Sequence, residues 1–184
     1  MTDPFPAPIE AVHQAIDDDA GTGGRTTWVL NLPADQREVV SHLLGELRAL
    51  LRDGDPDRPP LVRLFPPVYV DDEEKEAEYR RLMRDDLITS RLAQIDAADN
   101  LLGPDGPERF SEADTIALMQ SINAVRVVLG TILDVTDDDF DDDLPEIDDD
   151  LDGDDDDRGR ESTAAQLYDY LSWLLEWVVR SLNT

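Results

Sequence analysis

The chain has 184 residues, enough for one domain of ordinary size with a single sizeable core. Its 44 acidic and 16 basic side chains give a net charge of −28, and it has no cysteine. These facts exclude a disulfide framework, a thiolate metal site and a cysteine nucleophile. They also set the field against phosphate, so nucleic acid is not an expected partner. More than half of the net charge lies in residues 134–157, where sixteen Asp or Glu occur with no Lys or Arg. The first residues, MTDPFPAPIEAVHQ, lack the basic and apolar regions of a secretory signal. No uninterrupted apolar run approaches the ~18 residues of a membrane span. The expectation is a cytoplasmic protein with no membrane contact and no cofactor, and a cysteine-free chain suits a reducing compartment.

In chain order, residues 1–8 hold three prolines and are expected to form a flexible tail. Segments 9–16 and 25–32 flank the turn-rich spacer DDDAGTGG and are read as a β-hairpin, although IEAVHQAI also fits a short helix. Thr26, Thr27, Trp28 and Val29 favour a strand, and Trp28 is the candidate anchor onto a helical core, because a lone hairpin is marginal in water. From Pro33 to about Arg52 the apolar positions Val39, Val40, Leu43, Leu44, Leu47, Leu50 and Leu51 make one helical stripe. DGDPDRPP breaks it. LVRLFPPVYVDD then reads as a short helical turn leading into an extended stretch, because Pro66 and Pro67 remove two ladder donors. Residues 71–102 are helical, with Glu73, Glu74 and Glu76 at the positive end of the dipole. Their apolar positions (Tyr79, Leu82, Met83, then Ile88, Leu92, Ile95 and Leu102) drift in phase near Asp85 and Asp86, which predicts a kink or two abutting helices.

Residues 111–135 carry the strongest helical signal. Ser111 and Asp114 form a variant capping box. Centred on Ile122, the positions Leu118, Met119, Val125, Leu129, Ile132 and Leu133 fill one arc, and Ala117, Ala124, Val127 and Val128 extend apolar surface beyond it. A helix apolar on most sides is packed on most sides, so this is predicted to be the central helix. Residues 136–161 are too acidic to fold alone and are expected to form a disordered loop. From Ser162 a last helix turns Leu167, Tyr170, Leu171, Leu174, Trp177 and Val178 to one side and Asp169, Ser172, Glu176 and Arg180 to the other. The fold class is therefore mainly α: a single helical-bundle domain of four to five helices around a central buried helix, with a small N-terminal β-hairpin.

Three stretches together resemble one family. RLFPPVY at 63–69, SEADTIALMQSINAVRVVLGTILDV with its Asn123, Arg126 and Leu-Gly-Thr pieces, and the aromatic YDYLSWLLEWVV are similar to elements of the actinobacterial domain-of-unknown-function 2017 family. The likeness covers roughly residues 25–184 in order; the acidic insert and the triple-glycine turn stand outside it. The family has no established activity, so the resemblance implies no catalytic residues. Its genes commonly lie beside the gene for the Clp protease adaptor, which implies a link to regulated proteolysis.

Arg126 falls inside the apolar arc of the central helix, where a guanidinium must be paired. The favoured reading is an ion pair with Asp86, Asp96 or Asp99. The alternative is an anion site shared with Asn123 and Arg63, since arginine is the usual bidentate binder. Trp173 and Trp177, with Tyr168 and Tyr170, read as core or dimer contacts and otherwise as a recognition surface. Asp148, Asp150, Asp152 and Gly153 match the first half of an EF-hand loop, but Gly159 stands where the bidentate Glu belongs, so no metal site is assigned. His42 with Glu46 makes an incomplete ligand set, and His13 stands alone. Ser111 and Ser162 read as helix caps, and GTGG lacks the Lys-Ser/Thr of a phosphate-binding loop.

The leading functional reading is a non-enzymatic protein-interaction or regulatory module, its partner the Clp adaptor or unfoldase. The alternatives are an enzyme or small-anion-binding protein using Arg126 and neighbouring carboxylates, and a transcriptional regulator. The last is disfavoured by charge, since the arginines around Arg80, Arg81 and Arg84 sit among Glu and Asp.

Overall fold

A computed structural model of the chain describes residues 7–15, 24–54, 58–133 and 155–183. The element order is β1 (Ile9–Ala15), β2 (Gly24–Leu30), α1 (Ala34–Asp53), α2 (Pro59–Leu64), α3 (Glu73–Leu102), α4 (Glu112–Ile132) and α5 (Asp155–Leu182). The described residues form a mainly α fold, five helices with a two-stranded antiparallel hairpin.

The hairpin pairs Ile9 with Leu30 through to Ala15 with Gly24. Alternation sends Trp28 and Leu30 into the core beside Ile9, as the period of two requires. Trp28 fixes the hairpin at two points. Its backbone exchanges hydrogen bonds with Phe110 in the α3–α4 connection, both 3.0 Å, and its indole N–H donates to the Ser181 carbonyl at 3.2 Å. Residues 7 and 8, expected in the tail, are tied down instead. The Asn31 amide donates to the Pro8 carbonyl at 2.8 Å, and its side chain donates to the Ala7 carbonyl at 3.0 Å.

α1 starts after Pro33 with no side-chain cap. Arg37 folds back instead and donates to the carbonyls of Leu30 (2.8 Å) and Leu32 (2.9 Å), joining helix to strand. Val40, Leu44, Leu47 and Leu51 form its buried stripe. α3 is one uninterrupted helix of 30 residues, not two abutting ones. The drift in its apolar phase marks a change of environment. Ile95, Ala98, Leu101 and Leu102 in the second half are buried, whereas Leu82, Met83 and Leu87 in the first half are exposed.

α4 packs against α1, α2, α3, α5 and β2 and is the central helix. Its capping box is present in full: the Asp114 amide donates to Ser111 Oγ, and the Ser111 amide donates to Asp114. Ile132, placed in the apolar arc by the wheel, is 64 % exposed, because α4 ends there and leaves the core. By length and composition α4 is also long and apolar enough to cross a membrane; in this fold it packs against the other elements. Gly130 lets α5 approach closely, since a Cβ there would stand 3.3 Å from Tyr168.

The expected disordered loop at 136–161 lies outside the described residues as far as 154. From Asp155 the chain is helical, so α5 begins seven residues before the predicted start, and Ser162 is inside it rather than at its cap. The GTGG turn before Gly24 and the partial EF-hand pattern at 148–153 also lie outside the described residues.

Candidate functional site

Arg126 is half-buried on α4 with its guanidinium 5.2 Å from the centre of the Tyr168 ring, a cation–π contact. The carboxylates expected to meet it are engaged elsewhere. Arg48 of α1 reaches Asp96 at 2.9 Å and Asp99 at 3.1 Å, and Ser41 donates to Asp99. Burial opposes the Arg48 charge, but its hydrogen bonds to Asp99 and Asp96 prevail and raise its pKa. Asp86 is exposed. Asn123 is exposed one turn before Arg126, and Arg63 is exposed at the end of α2. Trp173 is exposed and stacks on Tyr170 at 5.9 Å. The Tyr170 hydroxyl donates to Gln36 at 3.1 Å. Burial, with Asp35 nearby, pushes the Tyr170 phenol up to about 12. Trp177 is half-buried with the Arg180 guanidinium 5.6 Å from its ring centre. His13 is hydrogen-bonded to Thr26 across the hairpin at 3.0 Å, and His42 is exposed. Among the described residues no three His, Asp or Glu side chains group as a metal site.

The more developed concavity lies elsewhere. A cavity of about 440 Å³ opens between α2, α3 and the segment after α2, with Leu51 of α1 and Gln120 of α4 at its inner side. None of Arg63, Asn123, Arg126, Trp173 or Trp177 lines it. Leu61, Leu64 and Phe65 supply one apolar wall. Opposite stand Arg80, Arg84, Leu87, Ile88 and Arg91, which recur along α3 at the spacing that keeps side chains on one face. A volume of this size and an apolar lining with a few polar groups are the usual features of a ligand or partner site.

Glu76 shapes the mouth. One carboxylate oxygen accepts from the backbone amides of Val68 and Tyr69, both at 2.9 Å, and the other accepts from Arg80 at 2.8 Å. The Tyr69 amide and Arg80, with the Val68 amide, hold the Glu76 carboxyl below its ordinary 4.5 although burial opposes them. The Tyr69 and Tyr79 rings meet edge to face at 6.0 Å and reinforce the same junction. Pro66 and Pro67 restrict the backbone between α2 and this latch, so the FPPVY segment stands as a fixed wall.

The arginines are not equivalent. Arg80 is engaged by Glu76, whereas Arg84 and Arg91 have no carboxylate partner among the described residues. Arg91 is half-buried and donates to Gln94 at 3.3 Å. Burial pulls its guanidinium below its ordinary pKa. In a chain with 44 acidic residues, two arginines beside an apolar cavity without such a partner make a local positive site in a negative field. In the sequence Arg80 and Arg84 read only as part of a mixed-charge helix and Glu76 only as one of the acids in its first turns, and no motif singles out Arg91. The available signal was the 80, 84, 91 spacing with Leu87 and Ile88 between.

No curated protein and no solved structure matches the chain significantly. The model of the family described as a domain of unknown function, DUF2017, matches residues 15–182. That span contains both the FPPVY wall and the arginine face of α3. The chain belongs to the DUF2017 family.

Proposed function

We propose that the chain is a non-enzymatic protein-interaction module of the cytoplasm, linked to Clp-type proteolysis, with the α2–α3 cavity as its docking site. The observation that supports this is the cavity itself: an apolar interior, a latched wall and arginines on the facing helix. Apolar pockets ringed by arginine and tyrosine are where binding energy concentrates. The lining offers little for proton transfer, which needs a group titrating near the working pH. Its carboxylate, Glu76, is ionised and holds the wall, and Ser90 has no base hydrogen-bonded to it among the described residues.

The Clp adaptor and its unfoldase are the partners of choice because of the gene neighbourhood that the family resemblance implies. Nucleic acid is opposed by the net charge of −28. An anion site on Arg126 has less support, because the Tyr168 ring faces its guanidinium and the cavity lies elsewhere. Calorimetric titration of the full chain with the purified adaptor, and separately with the unfoldase, tests the proposal. One of them binds the wild type, and Arg84→Glu weakens that binding about tenfold or more, the scale of a charge placed against its complement. Binding by neither removes the proteolysis link, and unchanged binding by Arg84→Glu removes the cavity.

A further inference from the structure

We infer that the same cavity binds a small apolar monocarboxylate, an acid of the medium-chain fatty type, with its tail against Leu61, Leu64 and Ile88 and its carboxylate on Arg91 and Arg84. This rests on reading the cavity as a binding site, and not on the identity of the protein partner.

Two independent features of the lining lead to this ligand class. Both walls carry apolar side chains, Leu61, Leu64 and Phe65 on one and Leu87 and Ile88 on the other, so the interior gains from a hydrocarbon tail. The charged side chains that α3 sets on the lining are Glu76, Arg80, Arg84 and Arg91; Glu76 and Arg80 pair with each other, and of the two arginines left without a carboxylate among the described residues Arg91 is half-buried. A half-buried guanidinium bonded to a neutral amide at 3.3 Å has lost part of its hydration without gaining an anion. A carboxylate supplies that anion in the planar, bidentate form that guanidinium suits, with charge-assisted hydrogen bonds stronger than the one to Gln94.

The whole-molecule charge narrows the class further. A field of −28 repels polyanions much more strongly than a single charge, so two arginines suit one carboxylate better than a di- or triphosphate. The mouth is bounded by the FPPVY wall, which Glu76 and the two tyrosines hold, so a ligand of modest width enters without that wall unfolding.

Titration calorimetry of the full chain with decanoate tests the inference, with decan-1-ol as the tail without charge and acetate as the charge without tail. Decanoate binds, acetate does not, and decan-1-ol binds about tenfold or more weakly, the fold-change expected for losing a charge-assisted hydrogen bond. Shortening the acid to octanoate weakens binding by about tenfold, as two fewer buried methylenes require. Arg91→Gln loses about tenfold or more and Arg91→Lys falls between it and the wild type. Ser90→Trp, a change at an exposed position on the lining, blocks decanoate without disturbing the core and serves if Arg91→Gln does not fold. The inference is overturned if decanoate does not bind, if decan-1-ol binds equally well, or if Arg91→Gln or Ser90→Trp binds decanoate like the wild type. Adaptor binding that is sensitive to Arg84→Glu, without decanoate binding, overturns this inference alone. Decanoate binding with the expected Arg91 and Ser90 effects supports it even where neither protein partner binds.

Discussion

Glu76 illustrates how one side chain sets the form of a site it does not fill. Its carboxylate joins the backbone of the FPPVY segment to the first turns of α3 through Val68, Tyr69 and Arg80. Its folded-state pKa lies below the ordinary 4.5, so its contribution is present above 4.5 and is lost as pH falls through the lower folded value. The amide resonances of Val68 and Tyr69 should therefore shift together in that acid range, and Glu76→Gln should flatten both curves. PH-independent amides in the wild type would refute the latch. Sequence periodicity does not reveal such a role, because Glu76 reads as one of three acids at a helix start. Arg126 shows a similar limit. The wheel places it in the apolar arc of α4, and it is half-buried. Its partner was not legible, since a wheel gives the direction of a side chain and not the neighbour it meets. Tyr168 stands there, and Asp96 and Asp99 go to Arg48.

At the scale of elements, the hairpin depends on Trp28, which is 4 % exposed and hydrogen-bonded through both backbone and indole. Trp28→Ala should destabilise the fold by about 3–5 kcal/mol, as deletion of a buried aromatic does. Trp28→Phe keeps most of the packing and loses the bond to Ser181, a smaller loss of about 1 kcal/mol beyond packing. Chemical denaturation of the two variants checks the ordering, and a Trp28→Phe variant as stable as the wild type would remove the hydrogen bond from the account. The hairpin, the α1 stripe and the Ser111–Asp114 box were legible because each is written in local spacing. α3 was less so. Its drifting phase looks like a break, yet the helix is continuous and its first half projects with Leu82 and Met83 exposed. The start of α5 at Asp155 is not legible, because an acidic run signals disorder by composition whatever its backbone does.

At the scale of the whole molecule, the family and the mainly α fold around α4 could be read from sequence. The site could not, because its walls come from residues 61–68 and 76–94, brought together by packing on α4 rather than by any motif. Charge makes the juxtaposition meaningful. A chain of net charge −28 presents, at one apolar opening, arginines whose charge is not met by carboxylates of the described residues. That contrast suits a partner contributing an apolar anchor with negative charge beside it.

The central claim is that recognition occurs at this cavity. Hydrogen exchange of the full chain, read by mass spectrometry with and without the proposed partner, the adaptor or the unfoldase, tests this most directly. The account predicts added protection in residues 61–70 and 76–94, with the outward face of α5 around Trp173 unchanged. Protection confined to α5 around Trp173 or to residues 134–154, with the cavity segments unaltered, would contradict it.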